Sequence, residues 1–315
     1  MMMKYLLLII FPILFVFIVA GCNTLHIRII PANQKKVKSE ILIKNSILRK
    51  LVWSDKDILF VKIGNNYNSL KTMNNKFSLL NEKKKFIKYS NLEGKHGKIL
   101  GKFYQNGLEY LLIKMRDGRN IKYARTNWEI TSNIPPPYLC LTDEISHIKN
   151  MIGQTIWLNK TKDFLYPATT TFFSSSKKPF NKFDEVKIID IYPYYNGGFD
   201  IPLWLIIKSK DQRIGFVKYN YTERSNGYFE NYYYISNPLP KEWGDDIINN
   251  VKNGKIIVGM TEYQVRISWG NPAFINTVFT SEGKSEEWFY NSFNPDLVYI
   301  KNGEVKSIKN LLMVK

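Results

Sequence analysis

The sequence predicts a mainly β protein with a smaller α+β domain at its C-terminal end. Aromatic residues make up 15% of the 315 residues, and they favour strands. A series of short strand-like segments occurs twice in the same order. After residue 244 the pattern changes to two short amphipathic helices followed by strands. The predicted fold is two repeated antiparallel β-barrel-like domains, then two helices with an antiparallel sheet of three or four strands.

The N-terminal segment has the pattern of an export signal. Lys4 precedes an uncharged, apolar run from Tyr5 to Ala20, and a glycine and Cys22 follow. A basic start, an apolar centre and small residues before a cleavage site are typical of secretory signal peptides. The alternative is a membrane-spanning anchor, since the run approaches the roughly 17–25 residues that a spanning helix needs.

The end of this segment resembles the lipobox of bacterial lipoproteins. Residues 19–22, Val-Ala-Gly-Cys, match all four lipobox positions. The resemblance implies that residues 1–21 are a signal peptide and that Cys22 is lipidated, with acyl chains such as palmitate holding the protein on a membrane. Asn23 follows in place of Asp, which in many Gram-negative bacteria permits sorting to the outer membrane. The cell outer membrane, on its periplasmic face or its surface, is therefore the expected location.

The formal net charge of +18 has two interpretations. A basic surface could lie on anionic lipid headgroups, which attract each Lys or Arg by roughly 1 kcal/mol. Alternatively, the charge reflects a chain rich in Lys, Asn and Ile. The lysines are scattered and the longest run is residues 83–85, so compositional bias is favoured. No nucleic-acid recognition motif is present, and no nucleic-acid partner is expected.

The two cysteines do not predict an intramolecular disulfide. If Cys22 is lipidated, Cys140 has no partner within the chain. Cys140 lies in the apolar stretch 138–141, which favours a buried, small hydrophobic residue over a reactive thiol.

Two related β-rich domains are predicted over residues 45–132 and 150–238. The matching segments are 51–53 with 155–157, 98–100 with 187–189, 106–107 with 196–197, 111–119 with 205–213, and 121–123 with 217–219, the last with a two-residue insertion in the second copy. Asn-Gly at 106–107 and Asp-Gly at 117–118 predict tight hairpin turns, because these residues tolerate positive φ. Each copy is expected to form an antiparallel sheet of about five strands.

The order of a strand, a long loop and a three-strand meander resembles that of bacterial SH3-like barrels. The resemblance covers residues 46–132 and 150–236 and implies sheets that curl on themselves. Residues 22–44 are interpreted as a tether to the membrane. Residues 133–149 are interpreted as a stiff, proline-rich linker followed by a short helix with Thr142 as its N-cap.

Two further features of the second copy suggest surfaces. Residues 169–176 form a polar loop tip. Clustered tyrosines could form a binding face or pack across a sheet, and packing is favoured. These tyrosines are Tyr192, Tyr194, Tyr195, Tyr232, Tyr233 and Tyr234.

An α+β domain is predicted over residues 239–315. The first helix starts with acidic residues 245–246. Thr261 and Gln264 form a capping box for the second helix, which is expected to end at Gly270 in a left-handed conformation. Strands are predicted over residues 274–279, 287–290, 297–301 and 304–308, with a hairpin at Asn302-Gly303.

This segment resembles the SmpA/OmlA (BamE-like) family of small outer-membrane lipoproteins. The residues that carry the resemblance are 259–261, Val265, Trp269-Gly270-x-Pro272, Trp288-x-Tyr290 and Asn302-Gly303. Family members fold as two helices against a three-stranded antiparallel sheet and support assembly of outer-membrane β-barrel proteins. Proteins that inhibit β-lactamases have the same shape. The resemblance implies a fold and carries over no binding residues.

No catalytic or metal-binding pattern is recognisable. His26, His96 and His147 lie in separate segments without metal-ligand spacing. Motifs such as G-x-S-x-G, the P-loop and H-E-x-x-H are missing from the sequence. Ser146-x-x-Lys149 and Ser174-x-x-Lys177 match S-x-x-K, as chance allows in a chain rich in lysine.

Two other arrangements of reactive residues are present in the sequence. Cys140 and His147 could pair as nucleophile and base, but both flank the proline-rich segment rather than a recognisable cleft. The adjacent acids at 245–246 and at 286–287 are expected to point apart, so neither pair forms a dyad. No catalytic residue, cofactor or metal is therefore predicted.

The sequence thus predicts a lipid-anchored, non-catalytic envelope protein that binds or assembles with a protein partner. Outer-membrane protein assembly and envelope maintenance are the roles considered. One alternative is an envelope hydrolase with an unrecognised active site, which a deep pocket with perturbed titratable groups would favour. Another is an inhibitor of a secreted enzyme, which an exposed, rigid aromatic patch on the C-terminal sheet would favour.

Overall fold

The computed structural model describes residues 48–64, 71–81, 85–132, 135–159, 180–195, 201–219, 222, 225–290 and 296–310. The residues predicted as signal peptide, lipidated Cys22, tether and loop tip, and the 196–197 match of the repeat, lie outside these residues. Among these described residues strand outweighs helix, the sheets are built mainly of antiparallel pairs, and one curls into a half-barrel. The mainly β prediction is therefore confirmed. Within the described ranges, no helix has the length and apolarity needed to cross a bilayer.

The elements of the described residues are short. The strands are β1 (Asp57–Phe60), β2 (Lys62–Ile63), β3 (Phe77–Leu79), β4 (His96–Gln105), β5 (Leu108–Met115), β6 (Asn120–Ala124), β7 (Leu139–Leu141), β8 (Thr155–Leu158), β9 (Glu185–Tyr195), β10 (Leu203–Ser209), β11 (Ile214–Lys218), β12 (Tyr233–Tyr234), β13 (Phe274–Thr280), β14 (Gly283–Tyr290), β15 (Asp296–Lys301) and β16 (Glu304–Asn310). The helices are α1 (Lys71–Asn74), α2 (Asn127–Ser132), α3 (Thr142–Lys149), α4 (Ser225–Tyr228), α5 (Gly244–Lys252) and α6 (Glu262–Trp269), with 3-10 turns at Tyr89–Asn91 and Lys241–Trp243.

The strands form three sheets. Sheet 1 has the order β3-β6-β5-β4-β1-β7, sheet 2 the order β11-β10-β9-β8-β12, and sheet 3 the order β13-β14-β15-β16. In addition, β2 pairs in parallel with β9 and so joins the first copy to sheet 2. Five strands of sheet 1 follow the same order as the five of sheet 2. The internal repeat is therefore present in the topology as well as in the sequence.

A β-bulge occupies the same place in both copies. The β4–β5 register leaves Leu100 unpaired between Ile99 and Gly101. The β9–β10 register leaves Ile189 unpaired between Ile188 and Asp190. A bulge bends its strand and increases the local twist, so both sheets are curved at equivalent points.

The turn that follows the bulged hairpin also recurs, and it corrects the sequence alignment. Arg119 and Arg213 each bind an aspartate two residues before them, through Nε–oxygen contacts of 2.9 and 2.8 Å. Both turns have the same length, so β6 continues in register and residues 121–123 correspond to 215–217. The predicted two-residue insertion is wrong. It arose because side chains alternate with period 2 along a strand, and a shift of two residues matches almost as well.

A second correction concerns the first strand of each copy. β8 pairs with β9 as β1 pairs with β4, so residues 155–157 correspond to 57–59. Residues 51–53 instead lead into and lie in a turn. Trp53 is buried in this turn, so its match to Trp157 came from burial and not from a shared strand.

The repeated turn gives a stability prediction at Gln212. Gln212 has φ 69°, whereas Gly118, with φ 86°, holds the equivalent position. Since a side chain strains this backbone conformation, we expect Gln212→Gly to raise the free energy of unfolding by about 0.5–1 kcal/mol. Gly118→Gln should lower it by a similar amount. Urea denaturation measures both, and two changes of the same sign would contradict the equivalence of the turns.

The segment between the copies differs from its interpretation as a spacer. Pro136 and Pro137 are buried, and the following Leu139–Leu141 form β7 on β1. Thr142 is the first residue of α3 rather than its N-cap, because the chain leaves β7 directly into the helix and Leu141 holds the cap position. The helix has Asp143 and Glu144 in its first turn, and its Ile145 and Ile148 side chains are buried.

Sheets 1 and 2 share one hydrophobic cluster. It includes Ile99 and Ile113 from the first copy and Ile188 and Ile207 from the second. Cys140 is fully buried in it, as predicted. The tyrosine clusters also pack as predicted: Tyr194, Tyr233 and Tyr234 are buried, and Tyr192, Tyr195 and Tyr232 are half-buried against the cores.

A buried ionic cluster lies beside the β4–β5 hairpin. The Glu109 carboxylate pairs with Arg125, and both side chains are fully buried. Lys102 Nζ and the Tyr104 hydroxyl also donate to Glu109, at 2.9 and 2.6 Å. Burial would raise the pKa of Glu109, but these hydrogen bonds and the guanidinium outweigh it and hold the pKa below its usual value.

Sheet 3 and helices α5 and α6 follow the second copy. The predicted capping box is confirmed, because Thr261 Oγ1 accepts from Gln264 N and Gln264 Oε1 accepts from Thr261 N. The hairpin at Asn302-Gly303 has positive φ at both residues. Gly270 ends α6 at φ 84° and ψ −161°, which is not the left-handed helical conformation expected. The next residues leave in an extended direction toward β13, and only glycine adopts this conformation readily.

Candidate protein-binding surface

The two edges of sheet 3 differ in whether another segment of the chain hydrogen-bonds to them. At β16, Gly259 N donates to Val305 O at 2.9 Å and Val305 N donates to Met260 O at 2.8 Å. The segment before α6 therefore covers part of that edge. At the opposite edge, β13 pairs with β14 alone among the strands that the structure describes. One edge of the sheet is thus left open.

β13 lacks the features that normally protect an open edge. Its sequence, Phe-Ile-Asn-Thr-Val-Phe-Thr, has no charged residue and no proline. Ile275 is half-buried and the other six residues are exposed, with 62% exposure for Phe274 and 76% for Phe279. Natural proteins usually blunt such edges with charges, prolines or bulges, and an unprotected edge is a template for another strand.

The β13–β14 hairpin shows which residues direct their backbone groups outward. A two-residue loop joins Thr280 to Gly283, and these two residues pair across it. In such a hairpin the flanking residues form a hydrogen-bonded pair, and hydrogen-bonded and non-hydrogen-bonded pairs then alternate. Ile275, Thr277 and Phe279 therefore point their N–H and C=O groups to the free edge. Three successive ladder positions are available to a further strand.

The inner side of β13 rests on an acidic pair. Thr277 Oγ1 donates to Glu286 at 3.2 Å, and Glu286 lies beside Glu262 of α6. Burial and the neighbouring Glu286 charge raise the pKa of Glu262 above its usual value. Glu286 has a lowered pKa, because hydrogen bonds from Lys284 and Trp288 outweigh its burial. Glu262 is the carboxyl of the pair that retains a proton more readily.

Glu262→Gln should make stability less dependent on pH. Because the pKa of Glu262 is raised in the folded state, its protonated form contributes to the stability of the fold. That contribution is lost as pH rises through the folded-state pKa. A neutral amide avoids this loss. We expect Glu262→Gln to stabilise the protein at pH 7 by less than about 1 kcal/mol, since the side chain is one-third exposed, and to have little effect at pH 4.

Denaturation at several pH values measures this difference between the variant and the parent protein. The matched variant Glu304→Gln alters an exposed acid whose pKa is lowered by Lys306. Its effect on stability should have the opposite pH dependence to that of Glu262→Gln. Equal effects of Glu262→Gln at pH 4 and pH 7 would contradict the assignment.

The described residues do not form an evident catalytic centre. An open groove of about 460 Å³ is lined by Leu59, Phe60, Val61, Lys62, Ser90, Glu93, Gly94 and Pro193. Ser90 does not hydrogen-bond to Glu93 or Lys62 in this described groove. Within the described ranges, no three His, Cys, Asp or Glu residues converge as a metal site would require.

The reactive residues singled out from the sequence are not brought together. Burial raises the pKa of the Cys140 thiol, whereas His147 lies exposed on α3. Ser146 Oγ donates to the carbonyl of Thr142 within the same helix. The lipidation candidate Cys22 and the second S-x-x-K match lie outside the described residues.

Sequence reasoning missed two parts of the surface. The sequence analysis predicted that Glu286 and its neighbour Glu287 point apart. The structure confirms this, because Glu286 is buried whereas Glu287 accepts a hydrogen bond from Asn276. The pairing of Glu286 with Glu262 depends on how α6 crosses the sheet. The open edge also escaped detection, because the lack of any charge in 274–280 fits a strand in the middle of a sheet equally well.

Comparison with protein-family models, with curated proteins and with solved structures finds no match to this chain.

Proposed function

We propose that this chain is a lipid-anchored, non-catalytic protein of the cell envelope that binds a protein partner along β13. The partner would contribute an extended segment that pairs with the free edge and extends sheet 3. The observation that carries the proposal is the seven-residue, uncharged and exposed edge strand. Strand addition of this kind takes its affinity from backbone hydrogen bonds and its specificity from alternate side chains.

The anchor in this proposal is Cys22, with the outer membrane as its location. Its support is the lipobox resemblance of residues 19–22. The finer fold belongs to the proposal as well: two SH3-like repeats, then a BamE-like domain. The strand order shared by sheets 1 and 2 and the two helices before a four-stranded sheet support it. A role in outer-membrane protein assembly or envelope maintenance agrees with such an arrangement.

Site-specific photo-crosslinking tests the edge. A photo-reactive residue at Phe279 should crosslink a discrete partner in intact envelopes, whereas one at Val258, which is 61% exposed outside β13, should not. Phe279→Pro removes an outward N–H without breaking the β13–β14 ladder, so we expect it to reduce partner capture by a probe at Thr277 at least tenfold. Phe279→Thr removes the ring but keeps the backbone N–H, so it should reduce partner capture less than Phe279→Pro does.

Three outcomes would contradict the edge proposal. These are equal crosslinking at both probe positions, unchanged capture with Phe279→Pro, and an equal loss of capture with Phe279→Thr and with Phe279→Pro when both variants remain folded. The anchor is tested separately by palmitate labelling and membrane fractionation of Cys22→Ser. A variant that stays in the inner membrane would identify residues 5–20 as a spanning helix.

A second candidate function is inhibition of a secreted enzyme. The exposed rings of Phe274 and Phe279, held on a paired strand, are the observation that favours it. In that case the crosslinked partner would be an enzyme, and the purified protein would lower its activity. An envelope hydrolase has less support, since the described groove is open and lacks an evident nucleophile–base pair.

A further inference from the structure

Each repeat carries two lysines that lie directly opposite each other on neighbouring strands. Lys98 of β4 faces Lys114 of β5, and Lys187 of β9 faces Lys208 of β10. In both copies the first lysine stands two residues before the unpaired bulge residue. The two lysine pairs therefore occupy equivalent positions of the repeat.

The lysine pairs lie on the outer faces of sheets 1 and 2. Side chains alternate along a strand, and Ile113 and Ile207, which precede the β5 and β10 lysines, point into the shared core. Lys98, Lys114 and Lys187 are exposed, and Lys208 is half-exposed. Four ammonium groups are thus accessible to solvent in two compact pairs.

Like charges directly opposite on a sheet are unfavourable, and little in the fold offsets them. Asp57 lies 4.0 Å from Lys98, but Thr155 holds the equivalent position beside Lys187. Lys114, Lys187 and Lys208 form no ion pair with an acidic residue among those that the structure describes. Any polar side chain would suit these positions structurally, so sheet stability does not explain the lysines.

Nearby equivalent positions have diverged, whereas the lysine pairs have not. Gly101 corresponds to Asp190, and Lys122 corresponds to Phe216, on the same outer faces. Both copies nevertheless keep two cations in the one row where they repel each other. Retention of an unfavourable feature in two otherwise divergent copies points to a ligand that both rows bind.

We propose that the two lysine pairs bind the phosphate groups of a flexible, linear polyanion. Opposite residues on paired strands lie close enough for both ammonium groups to reach one phosphate, or two adjacent ones. The net charge of +18 would attract such a polymer to the protein. The phosphates would in turn remove the repulsion within each pair.

A flexible polymer fits these positions better than a flat bilayer. The inner faces of sheets 1 and 2 contribute to one core, and the lysines lie on the opposite faces. A bilayer would contact both pairs only if these outer faces were coplanar, whereas a flexible chain has no such requirement. Its binding to two sites would also gain from effective concentration.

Binding of inorganic polyphosphate by the full-length protein, purified in detergent, tests the proposal. We expect Lys98→Gln with Lys114→Gln to weaken binding about tenfold or more, and Lys187→Gln with Lys208→Gln to do the same. Each double variant should reduce the slope of log affinity against log salt by about 1–2, since two phosphate contacts are lost. Thermal midpoints should stay equal or rise slightly, because a repulsive pair is removed.

The matched control is Lys241→Gln with Lys255→Gln, which removes the same charge from exposed lysines elsewhere. It should leave the affinity within about twofold of that of the parent protein. An equal loss in the control would overturn the proposal in favour of general charge attraction. A second result would overturn the proposal in favour of a membrane surface. In that case polyphosphate does not bind, whereas the parent protein binds phosphatidylglycerol vesicles and the lysine variants do not.

Discussion

Replacing Glu109 with Gln is expected to lower the free energy of unfolding by about 3–5 kcal/mol. The carboxylate and the Arg125 guanidinium are both fully buried, so the substitution leaves an uncompensated positive charge without water. Breaking one side of a buried pair is strongly destabilising for this reason. Lys102 and Tyr104 also donate to Glu109, and the amide offers only one acceptor oxygen in place of the two of the carboxylate. The loss is a large fraction of the 5–15 kcal/mol typical of a folded protein.

The pH dependence of the Glu109 variant provides an independent check. Because the pKa of Glu109 is lowered in the folded protein, its contribution is present at neutral pH and is lost as pH falls through the folded-state pKa. The parent protein should therefore lose stability in acid more steeply than Glu109→Gln does. Urea denaturation between pH 7 and pH 3 compares the two.

Two controls separate the ion pair from other effects of the Glu109 substitution. Glu287→Gln, at a half-exposed position on sheet 3, should change the free energy of unfolding by less than about 1 kcal/mol. Replacing both Glu109 and Arg125 with Met should recover part of the loss, because no fully buried charge is then left unpaired; Lys102, which also loses Glu109, is 22% exposed. A loss below 1 kcal/mol in Glu109→Gln would mean that water reaches Arg125.

Trp288→Ala is the second change with a large expected effect. It should lower the free energy of unfolding by about 3–5 kcal/mol. The indole is fully buried at the centre of sheet 3, with the Arg266 guanidinium 4.4 Å from its ring centre. Its neighbours across the strands are Ile275 of β13 and Val298 of β15. Truncation would leave a cavity beneath α6 and remove the N–H donor of Glu286.

The Trp288 substitution should also remove binding at the β13 edge. Ile275 rests on the indole, so the register and twist of β13 depend on it. Trp288→Phe keeps most of the apolar area. It should lower the free energy of unfolding by only about 1–2 kcal/mol and retain partner capture. Chemical denaturation and crosslinking from the Phe279 position measure the two effects together. Full capture by Trp288→Ala would contradict the dependence of the edge on this core.

Some features of the protein follow from local sequence alone. The capping box at Thr261 and Gln264 and the Asn302-Gly303 hairpin were predictable, because their interactions lie within four residues. The repeat was also readable, since its strands and turns keep their residue types. Alternation with period 2 does not fix register, however, so the insertion inferred at residues 217–219 was wrong.

The tertiary structure decided where the surfaces lie. Only the sheet order shows that β13 is an open edge, because an identical strand in the middle of a sheet would have no free backbone groups. The Glu262–Glu286 pair and the opposed lysines likewise join residues that are distant in sequence. Local propensities act within a few residues, whereas strand pairing and helix crossing are set by burial across the whole chain. The sequence by itself determined the class of the elements, and packing determined which of their residues remain available for a partner.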